Sequence, residues 1–239
     1  MTIRNVRKSI RGTFTNFALC LKSRWARVTF AQECEDLLVL DQFRNKNDGF
    51  YVEIGGLHPV RFSNTYLFYR KGWRGIVVEP NPDAERNFRR IRKRDIFIAE
   101  GVGSNAKQLE YFRFTEPALN TFDADLAHVR ETKEGRIIKD RISRPISPLR
   151  DLLASHLPAD THIDLMSIDV EGMDDEVLRS NDWDKYRPSW LIAEIDVNHD
   201  QESCLKDLSE NLTYDFLVSV GYQAIFKTGR SVIFKCKTP

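Results

Sequence analysis

Hydrophobic positions along the chain follow two rhythms. Val6, Ile10, Phe14, Phe17, Leu21, Trp25 and Val28 recur every three or four residues, the period of an amphipathic helix, with basic residues opposite. Gly12 interrupts that helix. Two readings of it stand: a helix packed on the domain, or one lying on a membrane surface or a partner. Leu37, Leu38 and Leu40 predict a second, inward-facing helix over 33–43.

After the turn residues Asn47-Asp48-Gly49, the pattern becomes short apolar runs separated by helical stretches. Runs at 50–54, 75–79, 96–99, 163–170 and 190–195 predict buried strands, and 109–114 alternates like an additional one. Ser63 or Asn64 can cap a helix that stops at Gly72, and Asn81 followed by Pro82 starts another. Helices are also expected over 149–156, from Asp174, and over 205–220, the last closed by Gly221. Two strands, 223–227 and 231–235, make a hairpin across Thr228-Gly229-Arg230. Residues 115–147 hold Pro117 and Pro145 and no clear period, and read as a long loop or small insertion. The alternation predicts an α/β fold: a mostly parallel sheet, helices on both faces, and a C-terminal antiparallel hairpin. It divides the chain into a basic N-terminal segment, 1–30, and one domain, 31–239.

Composition narrows the picture only slightly. The 239 residues are 41% hydrophobic and 30% charged, as in soluble globular proteins. A net charge of +1 gives no overall pull toward nucleic acid. Charge is nevertheless uneven, since no acid precedes Glu33 while Arg4, Arg7, Lys8, Arg11, Lys22, Arg24 and Arg27 do. Cys20, Cys34, Cys204 and Cys236 are dispersed, which suits reduced thiols and not a disulfide frame or zinc site. No apolar run approaches the roughly twenty residues of a membrane span. The expectation is a cytoplasmic protein, with residues 1–28 as its one point of peripheral membrane contact.

The chemistry gathers at the predicted strand ends, where ligands bind in parallel sheets. Those ends carry Glu53, Glu79, Gly101, Asp169 and Glu194. Gly55 and Gly56 let a backbone turn approach a ligand closely, and Glu79 at the tip of the next strand can accept ribose hydroxyls. No third glycine completes G-x-G-x-x-G. A nicotinamide-dependent dehydrogenase would explain Gly55 and Glu79 but leave the acids around Asp169 without a role. A non-catalytic membrane-associated binding protein would explain the basic N-terminus alone. Arg86, Arg89, Arg90, Lys93 and Arg94 form either a phosphate site or a solvated helix face. Asp123-Ala-Asp125 has the D-x-D form of metal-dependent glycosyltransferases, but in an irregular segment.

Three blocks together carry a family resemblance: Phe50-Tyr-Val-Glu-Ile-Gly-Gly through Gly72-Trp-Arg-Gly, then Val78-Glu-Pro-Asn-Pro, then Ile163-Asp-Leu-Met-Ser-Ile-Asp-Val-Glu-Gly. In this order and spacing the chain resembles the FkbM family of S-adenosylmethionine-dependent methyltransferases. The resemblance implies a seven-stranded Rossmann-like methyltransferase fold and O-methylation of a sugar, glycan or natural product. It implies cofactor contacts from Glu53, Gly55, Gly56, Glu79, Gly103, Ser104 and Asp169. Asp169 is the first choice for the base, with His58 and His199 as alternatives. If a divalent ion such as magnesium takes part, Asp169 and Glu171 would hold it, although none is expected. The family's first motif more often reads Asp-x-Gly-Ala, where this chain has Glu53 and Gly56.

Overall fold

The computed structural model describes residues 26–195, 208 and 211–237. The periodic segment before residue 26 and His199 lie outside them. Seven strands form the main sheet: β1 (Phe50–Ile54), β2 (Arg74–Val78), β3 (Ile96–Ile98), β7 (Leu165–Ile168), β8 (Trp190–Glu194), β9 (Tyr222–Lys227) and β10 (Ser231–Cys236). Their order is β3-β2-β1-β7-β8-β10-β9. The first five pair in parallel, and β10 runs antiparallel to both β8 and β9. This is the expected α/β architecture with its C-terminal hairpin.

Register fixes which residues meet at the functional edge. Ile54 pairs with Val78 and Ile168, Val78 with Ile98, and Ile168 with Ala193. The next residue in each strand is therefore Gly55, Glu79, Ala99, Asp169 or Glu194, all at one level. The paired row just described is apolar and buried on one sheet face, with α5 (Leu149–His156) and α6 (Asp174–Arg179) packed over it. The opposite face, with Tyr51, Leu165, Trp190 and Ile192, packs on α1 (Glu35–Leu40) and α2 (Tyr66–Arg70). In α1 the deepest apolar side chain is Val39, with Leu38 and Leu40 packed partly against that core.

Local signals account for the helix starts. Asn81 caps α3 (Pro82–Ile91), its side chain accepting the Asp83 amide at 3.1 Å. Ser63 accepts the Tyr66 amide at the start of α2, although Thr65 occupies the cap position itself. Asn211 caps α7 (Leu212–Ser219).

Residues 115–147 are not a loop. They carry α4 (Ala124–Thr132) and β6 (Ile138–Ser147), and β6 joins β4 (Gly101–Val102) and β5 (Lys107–Phe114) in a three-stranded second sheet. Asp123 caps α4, its Oδ1 accepting the amides of Asp125 at 2.9 Å and Leu126 at 3.0 Å. The D-x-D sequence is thus a helix start. No helix among the described residues is long and apolar enough to cross a membrane. Of the cysteines described, Cys34 is exposed and Cys236 is buried.

Candidate active site

A cavity of about 720 Å³, counting its open mouth, lies beyond the carboxyl ends of β1, β2 and β7. The main sheet supplies Gly55, Glu79 and Asp169, and the loops beyond its strands supply Leu57, Glu100, Glu171 and Met173. The second sheet and the turn after it close the other side with Gly101, Val102, Tyr111, Asn120 and Phe122. Exposed Gln32, Phe62 and Pro117 stand at the rim.

The two glycines do different work. Gly55 has φ +84°, and a Cβ there would fall 1.7 Å from the Asp169 carbonyl oxygen. Only glycine lets β1 turn this close to β7. Gly56 is not in the cavity wall. A Cβ on it would meet Val77 Cγ1 at 2.4 Å, so its smallness serves packing under the turn.

Glu79 is buried at the cavity edge and its carboxylate is held from two sides. Oε2 accepts the Leu57 amide at 2.8 Å, and Oε1 accepts the Asn81 amide at 2.7 Å. Tyr111 is a third hydrogen-bond partner of this carboxylate, which keeps acceptor capacity for a ligand hydroxyl. Burial pushes the Glu79 carboxyl up to about 7 against the opposing pull of those two amides. The Tyr111 ring, on β5, packs at 4.6 Å against Phe122 with the planes tilted by 41°, and the Tyr111 hydroxyl is itself raised by burial and by the Glu79 charge.

Asp169 sits among acids. Its carboxyl is raised well above the usual range, first by burial and then by Glu194, Asp174 and Glu171. Asp174, whose Oδ1 accepts the Val170 amide at 3.3 Å, is pushed by burial up to about 7. Glu171 has φ +55°, a strained conformation for a side-chain-bearing residue, and its carboxylate is paired with Arg130 of α4. The Thr121 hydroxyl donates to the Glu171 carbonyl at 2.8 Å. The second sheet and its helix therefore pin the segment after β7.

Oxygen atoms of Asp169, Glu171 and Glu194 lie within 4.8 Å of one another, a donor set chemically suited to a hard cation such as magnesium. Arg130 already balances Glu171.

Glu53, expected beside the methionine part of the cofactor, is turned away from the cavity. It pairs with Val77 and Ser167 inside the sheet, one residue out of phase with the apolar row under the site. Its oxygens accept the Ser63 hydroxyl at 2.8 Å, the Thr65 hydroxyl at 2.7 Å and Arg92 Nη1 at 2.7 Å. Gly103 and Ser104 also fall outside the cavity wall, and the Ser104 amide donates to Glu176 at 2.7 Å. His58 is a turn residue: its Nδ1 accepts the amides of Val60 and Arg61 at 3.1 and 3.0 Å, and burial lowers its pKa. Of the residues read from sequence, the cavity gathers Gly55, Glu79, Asp169 and Glu171. Glu100, Tyr111, Asn120, Phe122 and Met173 were not anticipated, although the tight alternation of 109–114 marked the strand that bears Tyr111.

No curated protein matches the sequence. Solved structures resemble it distantly. The METTL16 methyltransferase domain is 11% identical, over 85% of this chain and 66% of its own, with a TM-score of 0.45. Monomeric WbdD is 12% identical, over 88% and 42%, with a TM-score of 0.47. Precorrin-6y C5,15-methyltransferase from Geobacter metallireducens is 13% identical, over 84% and 88%, with a TM-score of 0.41. This chain thus spans less than two thirds of the first two. The family model described as the methyltransferase FkbM domain matches residues 47–223, most of the chain and all three sequence blocks. The chain belongs to the FkbM family of methyltransferases.

Proposed function

We propose that this methyltransferase uses S-adenosylmethionine to methylate a hydroxyl of a sugar, glycan or natural product. One observation carries the cofactor assignment: among the described residues the cavity wall contains four acids, Glu79, Glu100, Asp169 and Glu171, and no lysine, arginine or histidine. S-adenosylmethionine brings a sulfonium and an ammonium, which draw these acids into their ionised forms and are held by them. A nicotinamide dinucleotide brings a pyrophosphate, which the same wall repels. The incomplete glycine pattern points the same way.

The residues fit the cofactor on their own geometry. The turn at Gly55 leaves room where any side chain would strike β7. The remaining acceptor capacity of Glu79 suits a ribose diol, and Val102, Phe122 and Met173 offer an apolar slot for a purine. When bound, the cofactor supplies an electrophilic methyl group.

The protein's task is then alignment, which can lower a barrier by roughly 7–11 kcal/mol, together with proton removal. Asp169 is placed for the second. Its elevated affinity for a proton makes it a stronger base than an ordinary carboxylate once ionised. The rim residues Phe62 and Pro117 border the acceptor's entrance, and Arg61 bridges to Glu116 at 3.3 Å across it. Incubation with isotope-labelled S-adenosylmethionine and a panel of saccharides and polyols should yield a labelled methyl ether. Label found only on nitrogen or carbon would reject O-methylation.

A further inference from the structure

Six cations crowd the end of the domain opposite the cavity. Arg70 closes α2 and Lys71 follows it, Arg74 opens β2, Arg90 ends α3, and Lys93 and Arg94 precede β3. All six residues are exposed. Strands β3, β2 and β1 are neighbours, so the loops before them share one rim. The rim is stitched together, because the Arg94 guanidinium lies 3.8 Å over the Tyr69 ring and donates to the Tyr69 and Trp73 carbonyls. Nearby Arg44, Lys46, Arg89 and Arg92 are ion-paired, but among the described residues none of the six is. Asp95, one of two acids in these loops, is committed to Arg92 and Tyr51, leaving Asp48 as the other.

Substrate binding does not explain this rim. A five-residue strand at about 3.3 Å per residue separates it from the cavity by roughly 16 Å. Nor does a general excess of positive charge, since the chain carries a net +1. The chain also enters the fold here: Arg27 lies 3.8 Å from Asp41, which binds Arg44 at 3.0 Å just ahead of β1. The sequence before that point is basic, free of acids and apolar at helical spacing. Val28, the last residue of that apolar series, is 55% exposed.

We infer that this basic rim docks the protein on the anionic surface of a membrane, with the cavity mouth turned toward the aqueous side. A nucleic acid would satisfy the cations equally, but it offers nothing to the exposed valine beside them or to the apolar residues that recur in the sequence before it. A lipid surface takes both kinds of side chain, with headgroups for cations and acyl chains for apolar groups.

The test is co-sedimentation of the full chain with vesicles of phosphatidylcholine alone and of phosphatidylcholine mixed with phosphatidylserine. Binding to the mixed vesicles, weakened by salt, is expected, with little binding to the neutral ones. At about fivefold per cation, K71Q/R74Q/K93Q should bind the mixed vesicles on the order of a hundredfold more weakly. K71E/R74E/K93E, which reverses the three charges, should bind more weakly still, and unchanged melting temperatures establish that both fold. Equal binding to neutral vesicles, variants that bind like the parent, or tighter binding of a mixed-sequence oligonucleotide than of anionic vesicles would overturn the inference.

Discussion

Arg92 and Glu53 form a buried ion pair, Nη1 to Oε2 at 2.7 Å, behind the glycine turn that shapes the cavity. Arg92 also donates through Nε to Asp95 at 2.6 Å and through Nη2 to the Thr65 hydroxyl at 2.7 Å. Asp95 in turn accepts the Tyr51 hydroxyl and the Gly75 amide. One guanidinium thus ties β1, α2 and the loop entering β3 together. Glu53 thus faces Ser63, Thr65 and Arg92 and not the cavity, and it supports the glycine turn from behind.

Removing Arg92 leaves two buried carboxylates without their counter-charge. Breaking a buried pair from one side costs about 3–5 kcal/mol. Arg92→Met should lose stability of that order in chemical denaturation, and adding Glu53→Gln should recover part of it. A single variant within about 1 kcal/mol of the parent would show that the pair is not integral to the fold.

Glu79→Ala removes the carboxylate aimed at the ribose. Loss of charged hydrogen bonds is worth about 1.5–3 kcal/mol, so S-adenosylmethionine affinity should fall roughly ten- to over a hundredfold. Calorimetric titration of the variant checks this, and an unchanged affinity takes Glu79 out of that role.

Asp169→Asn keeps size and polarity but cannot take a proton. Turnover should drop by about 10²–10⁴ while cofactor affinity stays within a few-fold. In the parent, activity should rise with pH through a pKa above the ordinary carboxylate range, because Asp169 must be ionised to accept a proton. Retained turnover in the variant, with that limb of the profile intact, would assign the base elsewhere.

Stability of the ligand-free protein should depend on pH in a stated direction. Glu79 and Asp174 both hold their protons up to about 7 in the fold, against about 4 in an unfolded chain. The folded state therefore binds protons more tightly, and this contribution is complete below about pH 4 and lost as pH rises through about 7. Denaturation midpoints should be higher at pH 5 than at pH 8, and Asp174→Asn should flatten the slope. Midpoints that climb across that interval would contradict the assignment.

Much of this was legible because parallel strands place their ends at one level. Gly55, Glu79 and Asp169 each follow the last paired apolar residue of a run, so pattern alone put them together. Glu53 failed the same logic through parity, since it lies within a run, where alternate side chains leave by the other face. Its true company was visible in Ser63, which read only as a helix cap, and in Thr65, which carried no reading. The second sheet was hidden for a different reason. The half-buried side of β6 includes Asp140 and Arg144, and Arg113 grips Asp140 through two hydrogen bonds of 2.6 and 2.5 Å. Charge pairing there replaces the apolar alternation by which a strand is recognised, and Pro145 argues further against one. Its consequence for the site, the aromatic wall of Tyr111 and Phe122, was hidden with it.

Isothermal titration of the purified full chain with S-adenosylmethionine, S-adenosylhomocysteine, NAD and NADP asks whether the acids around Gly55 hold a cationic cofactor. Saturable one-to-one binding of the first two is expected, with no measurable binding of either dinucleotide. Binding of a dinucleotide, or silence toward both adenosyl ligands, would overturn the assignment.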